Sequence, residues 1–257
     1  MADHPIIFSA PMIRALQDGR KTQTRRIITP GNSLFNGGRW SALHKRQEWD
    51  WEGAWVDGGP SPMGNPGPYL KLPWQAGDDD FEGSVHRIYP VIQPGDRLWV
   101  KEAHYLTDDG DSKYAVYAED QTAVAEHLEF MARLQRRYPK ADWSKHLRLR
   151  SPIHMPRWAS RITLTVTDVR VQRLQDISEA DVVAEGIEPY AGIDPDCSGY
   201  RDYSKQASGG FWLLPRHSYR TLWNSLHGPD AWGANPWVWV KTFTVQHGNI
   251  DSIGGGE

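Results

Sequence analysis

Apolar residues recur along this chain at two periods, which sort it into helices and strands. Met12, Ile13 and Leu16 make one face of a short helix over 8–18, with Ser9 as its N-cap and Pro11 in its first turn. Gly19 is the residue that ends it, where a positive φ is tolerated. Val124, Leu128, Met131 and Leu134 follow the 3.6-residue period and predict an amphipathic helix over 119–138. Ile162, Leu164 and Val166 alternate, so 160–174 reads as a strand, with Val169 and Val171 continuing it past a bulge at Asp168. Ser178 opens a further helix that runs to Gly186. Tyr219, Leu222, Trp223 and Leu226 share one side of a helix over 215–226, and 235–245 is a final strand. Shorter strands are predicted at 24–29, at 113–118 and after the Pro94-Gly-Asp turn.

Two stretches carry no such period. Residues 31–90 are rich in Gly, Pro, Trp and Asp, and 187–214 resemble them; both read as large irregular insertions. Trp40, Trp49, Trp51, Trp55 and Trp74 allow the first to pack on its own aromatics. The expectation is α+β, one domain over 1–250 built on a small curved or barrel-like sheet, with a disordered tail at 251–257.

Composition narrows the chemistry. A net charge of −3 is not the overall basic footprint of a protein that coats nucleic acid, although local positive clusters stay open. The single cysteine, Cys197, excludes an intrachain disulfide framework and a multi-cysteine zinc site. The ten histidines form no metal-ligating spacing, so no metal and no cofactor is expected. No long apolar run or leader pattern is present, and the reading is cytoplasmic with no membrane partner.

The densest chemistry is Gly19-Arg-Lys-Thr-Gln-Thr-Arg-Arg26, which sets a lysine and two threonine hydroxyls among guanidinium groups at a helix exit. A lysine beside a hydroxyl can make a nucleophile without histidine, as Lys21 would for Thr24. The bland alternative is a solvated turn with a helix-end cation. Lys101 and Glu102 take opposite faces of their strand, so only one of them points inward. Arg157 and Arg161 flank Trp158, a pattern that fits phosphate contact with base stacking, or else a strand start beside a core tryptophan.

The order of these pieces resembles the ASCH family, a β-barrel fold related to PUA RNA-binding domains. The segments that carry the resemblance are Gly19–Arg25, Pro94-Gly-Asp-Arg-Leu-Trp-Val100, Leu174–Gly186 and the last strand Trp237–Val245. The longer layout is similar to ASCH proteins met in phages and prophages. The resemblance implies a PUA-like barrel with flanking helices. It further implies an amidohydrolase acting on a linear amide, since a compact relative removes the acyl group from N(4)-acetylcytidine. Matched by motif, its catalytic set falls on Lys21, Thr24 and Glu185. Either Lys21 serves as the base for Thr24, or Glu185 is the base for water and Lys21 stabilises the oxyanion. Arg25, Arg26, Glu102, Arg157 and Arg161 would bind the substrate, a modified nucleoside. The other implied activity is non-catalytic binding of RNA or modified nucleic acid.

Overall fold

The computed structural model describes residues 1–29, 33–35, 38–39, 50–58, 68–73, 85–108, 112–191, 198–204 and 210–253. In the first part of the chain lie β1 (Asp3–Ile7), α1 (Ala10–Gln17), β2 (Gln23–Ile27), β3 (Ser33–Phe35), β4 (Gly38–Arg39), β5 (Trp55–Asp57), β6 (Tyr69–Pro73) and β7 (Val85–Pro90). The middle holds β8 (Arg97–Lys101), β9 (His104–Asp108), β10 (Lys113–Tyr117), α2 (Gln121–Arg137), α3 (Ser144–Leu147) and β11 (Ile162–Arg173). Then follow α4 (Glu179–Ala184), β12 (Pro189–Ala191), β13 (Ser198–Arg201), β14 (Phe211–Trp212), α5 (Pro215–His227) and β15 (Trp237–His247). The class is α+β, as the two periods require.

The chain forms two compact units. The first takes 1–20, 95–165 and 244–257. In it β1 runs parallel to β8, pairing Ile6 with Val100, and β8 is antiparallel to β11, pairing Trp99 with Thr163. β9 and β10 make a hairpin, and α1 buries Ile13, Ala15 and Leu16 fully. The tail expected to be disordered begins with a turn, because Arg97 donates to the carbonyls of Ile250 and Ile253 and Arg157 pairs with Asp251. The remainder of that tail, 254–257, lies outside the described residues.

The second unit takes 21–94 and 166–243. Here β2 lies antiparallel to β15, in the register Gln23↔Thr242, Thr24↔Lys241, Arg25↔Val240 and Arg26↔Trp239. One face of that pair, carrying Val238 and Val240, packs on Leu174, Val182, Tyr219, Trp223 and Trp232. Tyr219 meets Trp223 at 6.2 Å and Trp232 edge-on at 6.2 Å. Each such fully buried large side chain stabilises the fold by roughly 1.5–3 kcal/mol. Thr167 and Asp168 are exposed in succession, so the inward face of β11 changes phase where the bulge was expected.

Both stretches read as irregular carry sheets. Within 31–90, five strands hydrogen-bond in the order β4-β3-β7-β6-β5, burying Leu70, Leu72, Ile88 and Tyr89. Within 187–214, β12, β13 and β14 form a three-stranded sheet. The strands there are two to six residues long and run through Gly, Pro and Trp, so few repeats of the two-residue period exist to be seen. Trp40, Trp49, Trp74 and Cys197 lie outside the described residues.

Candidate functional site

Two helix ends determine where the motif lysine goes. Gly19 has φ +70° and donates to the Leu16 carbonyl at 3.1 Å, which stops α1 and turns the chain toward β2. α4 is only six residues long and relies on its caps. The Ser178 hydroxyl accepts from Asp181 N–H at 3.1 Å, while Glu185 closes the helix and Gly186, at φ +84°, reverses the chain. Thr22 then stitches the motif in place. Its N–H donates to the Ala184 carbonyl at 2.9 Å, and its carbonyl accepts from Phe243 N–H at 2.9 Å.

Lys21 is fully buried against this helix end. Its ammonium donates to the Glu185 carbonyl at 2.8 Å, the Glu185 carboxylate at 2.9 Å and the Gln23 carbonyl at 2.8 Å. Three protons meet three acceptors, one of them a carbonyl at the negative end of α4. Burial pushes the Lys21 amine below its ordinary value, and Glu185 offsets part of that shift.

The other carboxylate oxygen of Glu185 accepts from Arg25 at 3.0 Å. Arg25 reaches on to Asp181 at 3.0 Å and to the Gln23 side-chain oxygen at 2.5 Å. The Gln23 amide donates to Asp181 at 3.1 Å. Lys21, Arg25, Asp181 and Glu185 thus form one connected set of ion pairs, with Arg170 reaching the half-buried Asp181 from β11. Burial alone would raise Asp181, but Gln23, Arg25 and Arg170 hold its carboxyl below the ordinary value. Tyr219 stands against Glu185, and burial beside that carboxylate pushes its phenol well above the usual range.

Thr24 stands apart from this cluster. Gln23 and Arg25 point toward α4, so the pleat of β2 directs Thr24 and Arg26 to the opposite face. No hydrogen bond joins the Thr24 hydroxyl to Lys21 or Glu185. Its cross-strand partner is Lys241, likewise 3 % exposed. Trp239 shares that face and donates its indole N–H to Ser33 at 2.9 Å. Arg26, in register with Trp239, is half-buried.

Glu102, Arg157 and Arg161 belong to the first unit. Glu102 is the inward member of the Lys101–Glu102 step, 2 % exposed and gripped by Arg161 through two bonds of 2.9 Å. The Arg161 guanidinium also lies 3.9 Å over the Tyr117 ring. Arg161 lines a cavity of 440 Å³ with Arg14, Gln17, Glu119, Asp120 and Gln121. Arg157 is engaged by Asp251 at 2.7 Å and Asp3 at 2.5 Å. Trp158 is 46 % exposed rather than a core residue. With Lys113, Lys145, His146 and Arg150 it lines a groove of 180 Å³.

The structure therefore brings Lys21, Glu185 and Arg25 into contact and leaves Thr24 across the strand. Sequence reasoning passed over Asp181, Gln23 and Lys241. Asp181 sits one turn before Glu185 on α4, and Lys241 continues the alternation Trp237, Trp239, so both carried a usable signal. Among the described residues no group of three or more His, Cys, Asp or Glu is placed to hold a metal, and no helix is long and apolar enough to cross a membrane. No family model, curated protein or solved structure matches the chain.

Proposed function

We propose that this protein is an amidohydrolase of ASCH type, on a PUA-like sheet, that removes the acyl group from an N(4)-acylated cytidine or a related modified nucleoside. The observation that supports the reading is the 2.9 Å approach of Lys21 to Glu185, residues 164 apart in the chain that lie in two separate segments of the family resemblance. In this reading Thr24 supplies the hydroxyl nucleophile. Lys21, with every ammonium proton engaged, holds the start of β2 on α4 instead of deprotonating Thr24. Glu185 shares its carboxylate between two cations, which suits a positioning role more than proton abstraction.

The test is release of cytidine from N(4)-acetylcytidine and longer N(4)-acyl cytidines, followed chromatographically. Turnover is expected for the wild type, with losses for Thr24→Ala and Lys21→Ala. Undiminished turnover in both variants would remove the mechanism.

One observation favours the nucleic-acid reading. The exposed Trp158 lines a groove in which Lys113, Lys145 and Arg150 outnumber Asp108, a net-basic lining with a stacking platform. Tight, salt-sensitive RNA binding by a wild type inert toward acyl cytidines would favour that alternative.

A further inference from the structure

Lys241 is a physical anomaly. The residue is 3 % exposed, yet it forms no ion pair with a carboxylate among the described residues. Burial penalises the charged form, so the amine gives up its proton more readily than an ordinary lysine. The charge that bears on it is Arg26, on β2. Arg26 itself feels the Glu185 carboxylate, and no carboxylate among the described residues forms an ion pair with Lys241. Gln23 and Arg25 go to the other face with Asp181 and Glu185, Asp168 pairs with Arg170 on β11, and Ser33 of β3 brings no charge.

Thr24 and Lys241 are directly opposed in an antiparallel pair, so their side chains leave the same face with Cβ atoms roughly 5 Å apart. Lys21 has no free proton or lone pair to offer Thr24. We propose that Lys241 is the base that activates Thr24, an assignment that rests on the amidohydrolase reading and replaces Lys21 in that role. The neutral Lys241 amine takes the Thr24 hydroxyl proton as the threonine oxygen bonds to the acyl carbon. The resulting ammonium returns that proton to the departing N(4) nitrogen as the C–N bond breaks, leaving a threonyl ester. Water then attacks the ester, giving its proton to Lys241. The ester C–O bond breaks and the threonine oxygen regains a proton from Lys241, so amide and water become acid and amine.

The experiment is the pH profile of kcat/KM on N(4)-acetylcytidine for the wild type, Lys241→Met, Lys241→Arg and Thr24→Ser, with thermal melts for each. Burial and Arg26 push Lys241 down to about 8, so the wild-type rate is expected to climb through that pH. Lys241→Met and Lys241→Arg should each lose on the order of 100-fold or more and the inflection with it, while melting as folded proteins. Thr24→Ser should keep the inflection. Turnover in Lys241→Met within about threefold of wild type, or an inflection that survives there, overturns the assignment and leaves the hydrolase standing. A wild type inert on every acyl cytidine overturns the hydrolase, and the pairing is then decided by NMR titration of lysine-labelled full-length protein. A Lys241 midpoint that Thr24→Val displaces supports the pair; one it leaves unmoved overturns it.

Discussion

Replacing Lys21 by methionine keeps the side chain's length and removes its charge, taking from the buried Glu185 one of its two ion-pair partners. Removing one partner of such a pair is expected to cost about 3 kcal/mol, measurable by urea denaturation. Glu185→Gln should cost at least as much, because it strands two cations, Lys21 and Arg25, at once. Lys241 predicts the opposite sign. Its folded value of about 8 lies below the ordinary 10.5, so the folded protein binds fewer protons between those limits. The penalty is fully present below pH 8 and fades as pH rises toward 10.5. Lys241→Met should therefore raise stability at pH 7 by up to about 3 kcal/mol, with the gain vanishing above pH 10.5. The pairing of Lys21 with Glu185 was legible from motif order. The side of the strand on which Thr24 stands was not, because the motif gives no phase for the pleat until Gln23 and Arg25 are seen to bind Asp181.

α4 shows how much a short element depends on its ends. A helix of six residues has no interior hydrogen-bond ladder to spare, and its last turn supplies both the carbonyl and the carboxylate that receive Lys21. Ser178→Ala should cost roughly 1 kcal/mol of stability and lower the protection of the Glu185 and Gly186 amides in hydrogen exchange. Unchanged protection would mean that Lys21, not the cap, holds the helix. Elements with several repeats of their period, α2, α5, β11 and β15, could be read from sequence with small errors at their ends. β1 could not, since five residues with a proline at the centre and only Ile6 buried present no alternation. The sheet of β3 to β7 escaped for the same reason, its pairing being set by tertiary contact rather than by local pattern.

At the level of the molecule, carboxylates in both units are held below their ordinary values. Asp3 is lowered first by Arg97, although burial opposes it, and Asp251 first by Arg157; Asp181 sits in the other unit with Gln23, Arg25 and Arg170 around it. Each folded value lies below the unfolded one, so the stability these groups add is present above the usual carboxylate range and drains away as pH falls through their lowered values. The melting temperature should hold near neutrality and fall below about pH 4, with Arg157→Ala flattening the fall. A melting curve indifferent to pH between about 5 and 2 would contradict this. The division into two units had no trace in composition, because β11 and β15 each begin in one unit and end in the other, so no linker marks a boundary.

Thr22 is held on one side by residue 184 and on the other by residue 243, which gives the protein a particular order of maturation. On the ribosome the motif at 19–26 is made well before residue 184 and still longer before residue 243. Until the last strand emerges, the lysine and arginine destined for burial stay in water as ordinary solvated cations. A nascent chain stalled just ahead of residue 243 would carry every motif residue and still lack the site.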